Sequence, residues 1–485
     1  MTTGKLRRLP IRNPRTGLMD YEIEAADAAE LARVAARLRA GQVQWAAAGV
    51  ARRLEVLKAW TAHLSANVGP LIEALSTDTG RHLVAASEIQ AVVGMVAGNA
   101  VLAPRVLPSA GQPAGERASA TPGIGIQTQF VPYGLVGVIS PWNFPLLLSM
   151  LDTISALVAG CAVLVKPSEV TPRFVAPLMA SLDGFPELKA VLAFATGDGR
   201  TGAALIDQVD AICFTGSVPT GRKVGEACAA RFIPAFLELG GKDPVIVLES
   251  ADPDRAASIV LRASCQATGH ACQSLERVYV DSRIAPKFIE SLVRQAEAVK
   301  LNFPDSHRGQ IGPLIFERQA DIIAGQLEDA VAKGARIMTG GQIEHHGGGL
   351  WLRPTVVTDV NHDMTLMTEE TFGPVVPVIV SRDTDEAVRL ANDSIYGLSA
   401  AVIGEEQAAL AVARRLNVGA VSINDGGLTT VVFDAEKNAF KLSGLGASRM
   451  GPSGLLRFLR QKALLIQRGR AKDMSDLEEA RGAQP

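Results

Sequence analysis

An α/β protein with two parallel sheets and a cleft between them is what this 485-residue chain predicts, and three observations predict it. From about residue 134, short β runs alternate with helical stretches: "GLVGVIS", "CAVLVKP", "AVLAFAT", "DAICFTG", then "DPVIVLE". Such alternation builds βαβ units around a parallel sheet. The pattern then starts again with "RVYVD", the helical "APKFIESLVRQAEAVKL", "QADIIAGQLEDAVAKGARIMTGG", "FGPVVPVIV" and "GAVSIND", and the break falls close to Gly240-Gly241. Finally, the chain is too long for one simple core.

Composition narrows the class. Apolar residues make up 47% and charged residues 20%, as in a soluble globular protein. A net charge of -2 offers no basic surface to nucleic acid or anionic lipid. The five cysteines (Cys161, Cys213, Cys228, Cys265 and Cys272) are odd in number and not in CxxC spacing. They argue against a disulfide framework or a zinc site and for a reducing, cytoplasmic compartment.

Along the chain, the basic start "MTTGKLRRLPIRNPRTG" has no apolar run behind it and is not read as a secretory signal. The first hundred residues read as Ala-rich helices, with little room for strands before them. Residues 144–165, "FPLLLSMLDTISALVAGCAVLV", are interrupted by Pro145, Asp152 and Gly160, and read as a buried helix and strand rather than a membrane span. Cys161 and Cys213 fall in β runs, Cys228 on a helix, and Cys265 on the helix leading to Cys272. The pair His345-His346 in "EHHGGG" reads as a solvated loop, not a metal site. The charged tail after Arg468 is expected to be frayed or surface-bound.

Two loops suit a phosphorylated ligand. "FTGSVPTGRK" follows a β run, but Arg222 stands where a phosphate loop needs Lys, which excludes that class of nucleotidase. A strand ending in the small residues Gly216 and Ser217 before a helix start still makes an anion site, or a plain strand–turn–helix junction. At "VLVKPSE", Lys166 and Glu169 after a strand suit the two hydroxyls of a ribose, and a carboxylate there would repel a 2′-phosphate, favouring NAD over NADP. In isolation the same pair reads as two solvated side chains.

Eight stretches together resemble the NAD(P)-dependent aldehyde dehydrogenase superfamily. They are "SPWNFP" (140–145), "KPSE" (166–169), "FTGSVPTG" (214–221), "LELGGKDP" (237–244), "TGHAC" with Arg277 beyond it, "EETFGPVVPV" (369–378), "NDSIYGLSA" (392–400) and "LSGLGASRMG" (442–451). They follow the family's order and span nearly the whole chain. The resemblance implies two Rossmann-like α/β domains plus a small β oligomerisation flap. The NAD-binding domain would take residues 1–113 and 135–239, the catalytic domain 240–440, and the flap 114–134 and 452–470. A homodimer or homotetramer is implied.

It also implies the chemistry. A planar aldehyde carbon must become tetrahedral before it can lose hydride, and a thiolate does this well, leaving a thioester that water cleaves. Cys272 is the implied nucleophile. The side-chain amide of Asn143 and the backbone N–H of Cys272 are the implied oxyanion donors. Glu238, set among Leu237, Leu239 and Gly240, is the implied base; without the resemblance it reads as a surface glutamate at a strand end. Trp142, Lys166, Ser168, Glu169, Gly216, Ser217, Glu370 and Phe372 are the implied cofactor residues, with NAD the cofactor and NADP less favoured. Leu147, Leu148 and Leu151 would face the substrate, which suggests an apolar or aromatic aldehyde, with the Asp425–Phe440 loop as far wall. The alternatives are a CoA-acylating enzyme, against which Glu238 argues, and a semialdehyde-specific one. His270, where the family has Gln or Glu, is expected only to hydrogen-bond its own loop.

Overall fold

The structure, a computed structural model, describes residues 7–107, 115–477 and 479. The expected boundary at 113/114, the first six residues of the basic start and the last of the charged tail lie outside the described residues. One sheet carries five parallel strands: Leu135–Ile139, Ala162–Lys166, Leu192–Phe194, Ala211–Thr215 and Ala235–Glu238. Numbered in chain order they lie 3-2-1-4-5 across the sheet, and the short strand Gly444–Leu445 adds antiparallel to the outer edge. Leu135–Ile139, Ala162–Lys166 and Ala211–Thr215 are buried along their whole length, which is why they read as unbroken apolar runs rather than as alternating patterns.

That strand order places the binding crevice. It reverses between Leu135–Ile139 and Ala211–Thr215, and ligands of open α/β sheets bind outside the strand ends at such a reversal. The first of these strands runs into "SPWN" and the second into Gly216-Ser217. After "SPWN" the helix Pro145–Ala159 starts with Pro at its first turn and stops at Gly160, held at φ 104. Its first turn is capped from elsewhere: Glu88, buried on the helix His82–Val106, accepts the N–H groups of Leu146 at 3.0 Å and Leu147 at 2.9 Å. His82–Val106 is long and apolar enough to cross a membrane by length and composition; here it packs against Gly49–Ala66 and Pro145–Ala159.

The second sheet has seven strands in the order Arg336–Thr339, Thr355–Thr358, Val375–Ser381, Leu275–Asp281, Asp243–Val247, Ser399–Ile403 and Ala420–Ile423. All pair in parallel except the outermost, Arg336–Thr339. "DPVIVLE", which continues the first β series in the sequence, is thus an interior strand of this second sheet. The chain passes from one sheet to the other across Gly240-Gly241, and a Cβ on Gly241 would lie 2.3 Å from the carbonyl oxygen of Cys272. A third sheet joins Leu459–Gln467, Ile124–Pro132 and Arg117–Ala118, all antiparallel.

Three expectations need correcting. The chain does not open with helices: Arg7–Arg12 and Met19–Ala25 form an antiparallel hairpin, its turn held by Asn13 and by Gly17 at φ 71. Only Ile11, Ile23 and Ala25 of its strands are buried, so its polar face hides the strand signal. His345 and His346 end the strand Ile343–His346 rather than lying in a loop; His346 pairs with Glu344 at 2.8 Å and stacks on Phe303. Cys161 sits just before the strand Ala162–Lys166, with its thiol on the carbonyl of Phe458.

Candidate active site

The crevice at the strand reversal is a cleft of about 960 Å³ between the strand ends of the first sheet and the strand starts of the second. From the first sheet it is lined by Trp142, Asn143, Lys166, Ser168, Glu169, Gly216 and Ser217, and from the second by Cys272, Glu370 and Phe372. Every residue expected on the cofactor side therefore meets in one place. Glu238 lies at the end of its strand, one residue before Leu239 and Gly240, which do line the cleft.

Cys272 follows a strained loop. After the helix Pro253–Cys265, Ala267, Thr268 and Gly269 all adopt left-handed backbone, at φ 53, 66 and 73. Such residues cost of order 1–3 kcal/mol each where the side chain is not glycine, so the loop must be held from outside. Two contacts hold it. Thr268 Oγ1 accepts the N–H of Gly312 at 3.0 Å, and buried Arg81 donates to the carbonyl of Ala267 at 2.5 Å. The same guanidinium donates at 2.5 Å to the carbonyl of Asn143, so one side chain ties the nucleophile loop to the amide loop. Asn143 in turn donates one amide hydrogen to the carbonyl of His270 at 3.0 Å, and its second remains for the cleft. Arg81 was missed in the sequence, where nothing sets it apart from other arginines.

The thiol is half-buried, and burial together with the carboxylates Glu370, Asp243 and Glu238 pushes it up to about 12. Glu370 is itself pushed up to about 8 by burial and by Glu276, with Oε1 accepting the N–H of Gly241 at 3.0 Å. Glu238 is partly exposed at its edge, yet its carboxyl is enclosed enough that burial raises its pKa.

The segment Glu370–Phe372 is pinned by an ion pair that sequence reading left without a role. Lys242 and Glu276, both fully buried, meet at 2.8 Å. Glu276 accepts the N–H groups of Thr371 and Phe372 at 2.7 Å each, and Lys242 donates to the hydroxyl of Thr371 at 2.7 Å. Phe372 is thereby fixed at φ 51, its ring 5.3 Å edge-on from Trp142. Lys242 stands inside "LELGGKDP" and Glu276 beside Arg277, so the motifs marked the two places but not their pairing. Arg277 itself is buried away from the cleft and donates to the carbonyls of Lys242 and Ala391.

Other expectations are modified. Lys166 and Glu169 pair at 2.8 Å on the cleft wall. Ser217 occupies the cap position of Val218–Ala230, but its hydroxyl bonds Thr220 Oγ1 at 3.1 Å, leaving the helix N–H groups free for a ligand. Of the three leucines, Leu148 lines the cleft, Leu147 is half-buried against the core, and Leu151 is buried in it. His270 makes no side-chain bond to its loop: both ring nitrogens lack a partner, and the ring completes a triangle of rings with Trp142 at 5.1 Å and Phe372 at 5.9 Å. In the loop 425–440, Lys437 is partly buried, donates to the carbonyl of Thr429, and carries its charge close to Cys272 and Glu238.

Residues 1–464 match the model of the "Aldehyde dehydrogenase family". The chain is 36% identical over 440 residues to the "Putative succinate-semialdehyde dehydrogenase [NADP(+)] 2" of Mycobacterium ulcerans, covering 89% of this chain and 83% of that one. It is equally 36% identical to the "4,4'-diapolycopene aldehyde oxidase" of a Methylomonas species, over 89% of this chain and 81% of that one. Among solved structures, the "Putative Aldehyde Dehydrogenase PutA from Anabaena variabilis" shares 51% identity with a TM-score of 0.93, covering 96% of this chain and 99% of that one.

Proposed function

The chain belongs to the aldehyde dehydrogenase family and oxidises an aldehyde with a nicotinamide dinucleotide, and within that activity we propose that Cys272 is the nucleophile, Asn143 an oxyanion donor and Glu238 the base. The observation that carries this reading is the cleft at the strand reversal, where Asn143 from one side and Cys272 from the other line the same space as the expected cofactor residues. The cleft fits the cofactor: free helix N–H groups at Ser217 suit a diphosphate, and Lys166 with Glu169 suits a ribose. When bound there, the nicotinamide supplies the two-electron acceptor.

The rest is this chain's own work. Cys272, once its proton has gone to a neighbouring carboxylate, attacks the aldehyde carbon. The second amide hydrogen of Asn143 and the backbone N–H of Cys272 receive the developing oxyanion, each such donor being worth about 3–4 kcal/mol. Oxidation leaves a thioester on Cys272, and Glu238 takes a proton from the water that cleaves it. Glu238→Gln should then give a burst of reduced cofactor followed by a slow steady state; a single-phase time course at the normal rate would overturn the base assignment.

For the substrate, we read an apolar or aromatic aldehyde, supported by Leu148 and the aromatic wall of Trp142, Phe316 and Phe372. A second reading, an aldehyde that also carries a carboxylate, is favoured by Lys437, whose ammonium group sits close to Cys272. The two readings separate in a panel of aliphatic, aromatic and semialdehyde substrates run with and without coenzyme A. A preference for the semialdehyde that Lys437→Met abolishes would settle it for the second. For the cofactor, Glu169 supports NAD over NADP.

A further inference from the structure

Behind Glu238 lies a cluster of three buried charges that the reaction just described does not use. Asp152, on the helix Pro145–Ala159, is 3% exposed and bonds two guanidiniums. Arg449, 9% exposed, donates to it at 2.6 Å, and Arg457, 8% exposed, forms the second ion pair. Two positive charges thus share one carboxylate, an excess of one positive charge in a setting where unpaired charge is expensive.

The sheet register shows which group answers that excess. Thr215 is the parallel partner of Glu238, and Phe236 precedes Glu238 by two residues, so all three side chains leave the same face of the sheet. Arg449 donates to the hydroxyl of Thr215 at 3.1 Å, and the guanidinium of Arg457 lies over the ring of Phe236, 4.9 Å from its centre. Both cations therefore stand on the face from which Glu238 projects, and its carboxylate is the counter-charge they lack.

We infer that Asp152, Arg449 and Arg457 form a positioning cluster that keeps the base Glu238 ionised and aimed at the acyl group on Cys272, with Arg449 its principal member. This inference rests on the proposed role of Glu238 as base. The other charged or titratable groups that act on Glu238 are Cys272 and Lys437, while Cys213 faces Asp152 and the two arginines. Burial raises the carboxyl of Glu238, and Arg449, then Arg457, are the charges that hold it down. Asp152 tempers them and fixes where the guanidiniums sit.

The test uses 4-nitrophenyl acetate and the whole chain without cofactor, so that neither the natural aldehyde nor the dinucleotide is needed. The burst of nitrophenolate reads acylation of Cys272, and the steady phase reads deacylation by water. In wild type the steady rate falls on the acid side as Glu238 takes a proton, and in Glu238→Gln that limb should vanish. Arg449→Gln, which keeps donors for Asp152 and Thr215 but removes the charge, should move the limb up by about one pH unit, a roughly tenfold slower deacylation below it. Arg449→Lys should restore it to within about 0.3 unit. If Arg449→Gln does not fold, Arg457→Gln carries the same test with a smaller shift in the same direction. A limb that disappears in Glu238→Gln but stays in place in folded Arg449→Gln, with the rate lowered evenly at every pH, overturns the inference and leaves the base standing. A limb that persists in Glu238→Gln overturns the base, and the inference with it.

Discussion

A free cysteine is more often a packing residue than a nucleophile, and four of the five here are buried in that way. Cys272 differs in being half-open to a cleft beside an amide donor. We predict that Cys272→Ala abolishes aldehyde oxidation while the cofactor still binds, as read by the rise in Tm that the cofactor gives; turnover near the normal rate would sink the assignment. His270 yields a prediction of sign. Burial and the charge of Arg81 hold its ring well below the ordinary 6.5, so the folded protein keeps it neutral while the unfolded chain takes up a proton. The folded pKa is depressed below the unfolded value, so this group costs nothing above about pH 6.5 and destabilises progressively as pH falls below it. His270→Gln should therefore lose less Tm than wild type between about pH 7 and about pH 5. A neutral ring does not stabilise a thiolate, so the same variant should leave the pH dependence of Cys272 alkylation within about half a unit. A larger upward move would show the imidazole acting on the thiol.

At the scale of elements, the nucleophile loop shows how a strained turn is kept. Shortening Arg81 leaves the buried carbonyl of Asn143 without a donor and the carbonyl of Ala267 with only the N–H of His270, and each lost bond to a charged group costs about 1.5–3 kcal/mol. Arg81→Met is expected to lower Tm and to slow the burst more than the steady phase, because the amide of Asn143 shifts when its loop is released; equal slowing of both phases would confine Arg81 to stability. Gly269→Ala should be worse, since its φ of 73 favours glycine and a Cβ there would lie 2.2 Å from the backbone of Gly373. Elements of this kind were legible in unequal measure. The buried parallel strands announce themselves because they are apolar runs broken only near their ends, by residues such as Lys166 and Thr215, and "SPWNFP", "KPSE" and "FTGSVPTG" sit at strand ends where the chemistry must be. The hairpin at residues 7–25 was hidden because its alternation is mostly charged against solvent, although "NPRTG" marks its turn. Arg81, the Lys242–Glu276 pair and the Asp152–Arg449 pair join residues far apart in the chain, the last 297 positions apart. No local pattern encodes such pairs; only the fold brings them together.

The whole molecule places its cleft between two sheets that meet at Gly240-Gly241, so a ligand bound there touches both. Lys166, Glu169 and Ser217 belong to the first sheet, and Glu370 and Phe372 to the second. A ligand that binds only the folded form stabilises it by RT ln(1 + [L]/Kd), about 2.7 kcal/mol at a hundredfold excess over Kd. NAD is therefore expected to raise Tm, and the size of the rise reads how well the cleft accepts it. NADP should raise Tm less at equal concentration, because its 2′-phosphate meets the carboxylate of Glu169, which is already paired with Lys166 at 2.8 Å. The comparison is sharp because a relative at 36% identity carries NADP in its name. Glu169→Gln removes the repelling charge but keeps a partner for a ribose hydroxyl, so it should narrow the gap between the two cofactors mainly by raising the NADP response. If wild type responds equally to both, Lys166 serves the phosphate and the carboxylate swings aside into solvent, where 41% of its side chain already lies. In that outcome the preference for NAD is lost, while the rise in Tm still shows that the folded chain binds the cofactor.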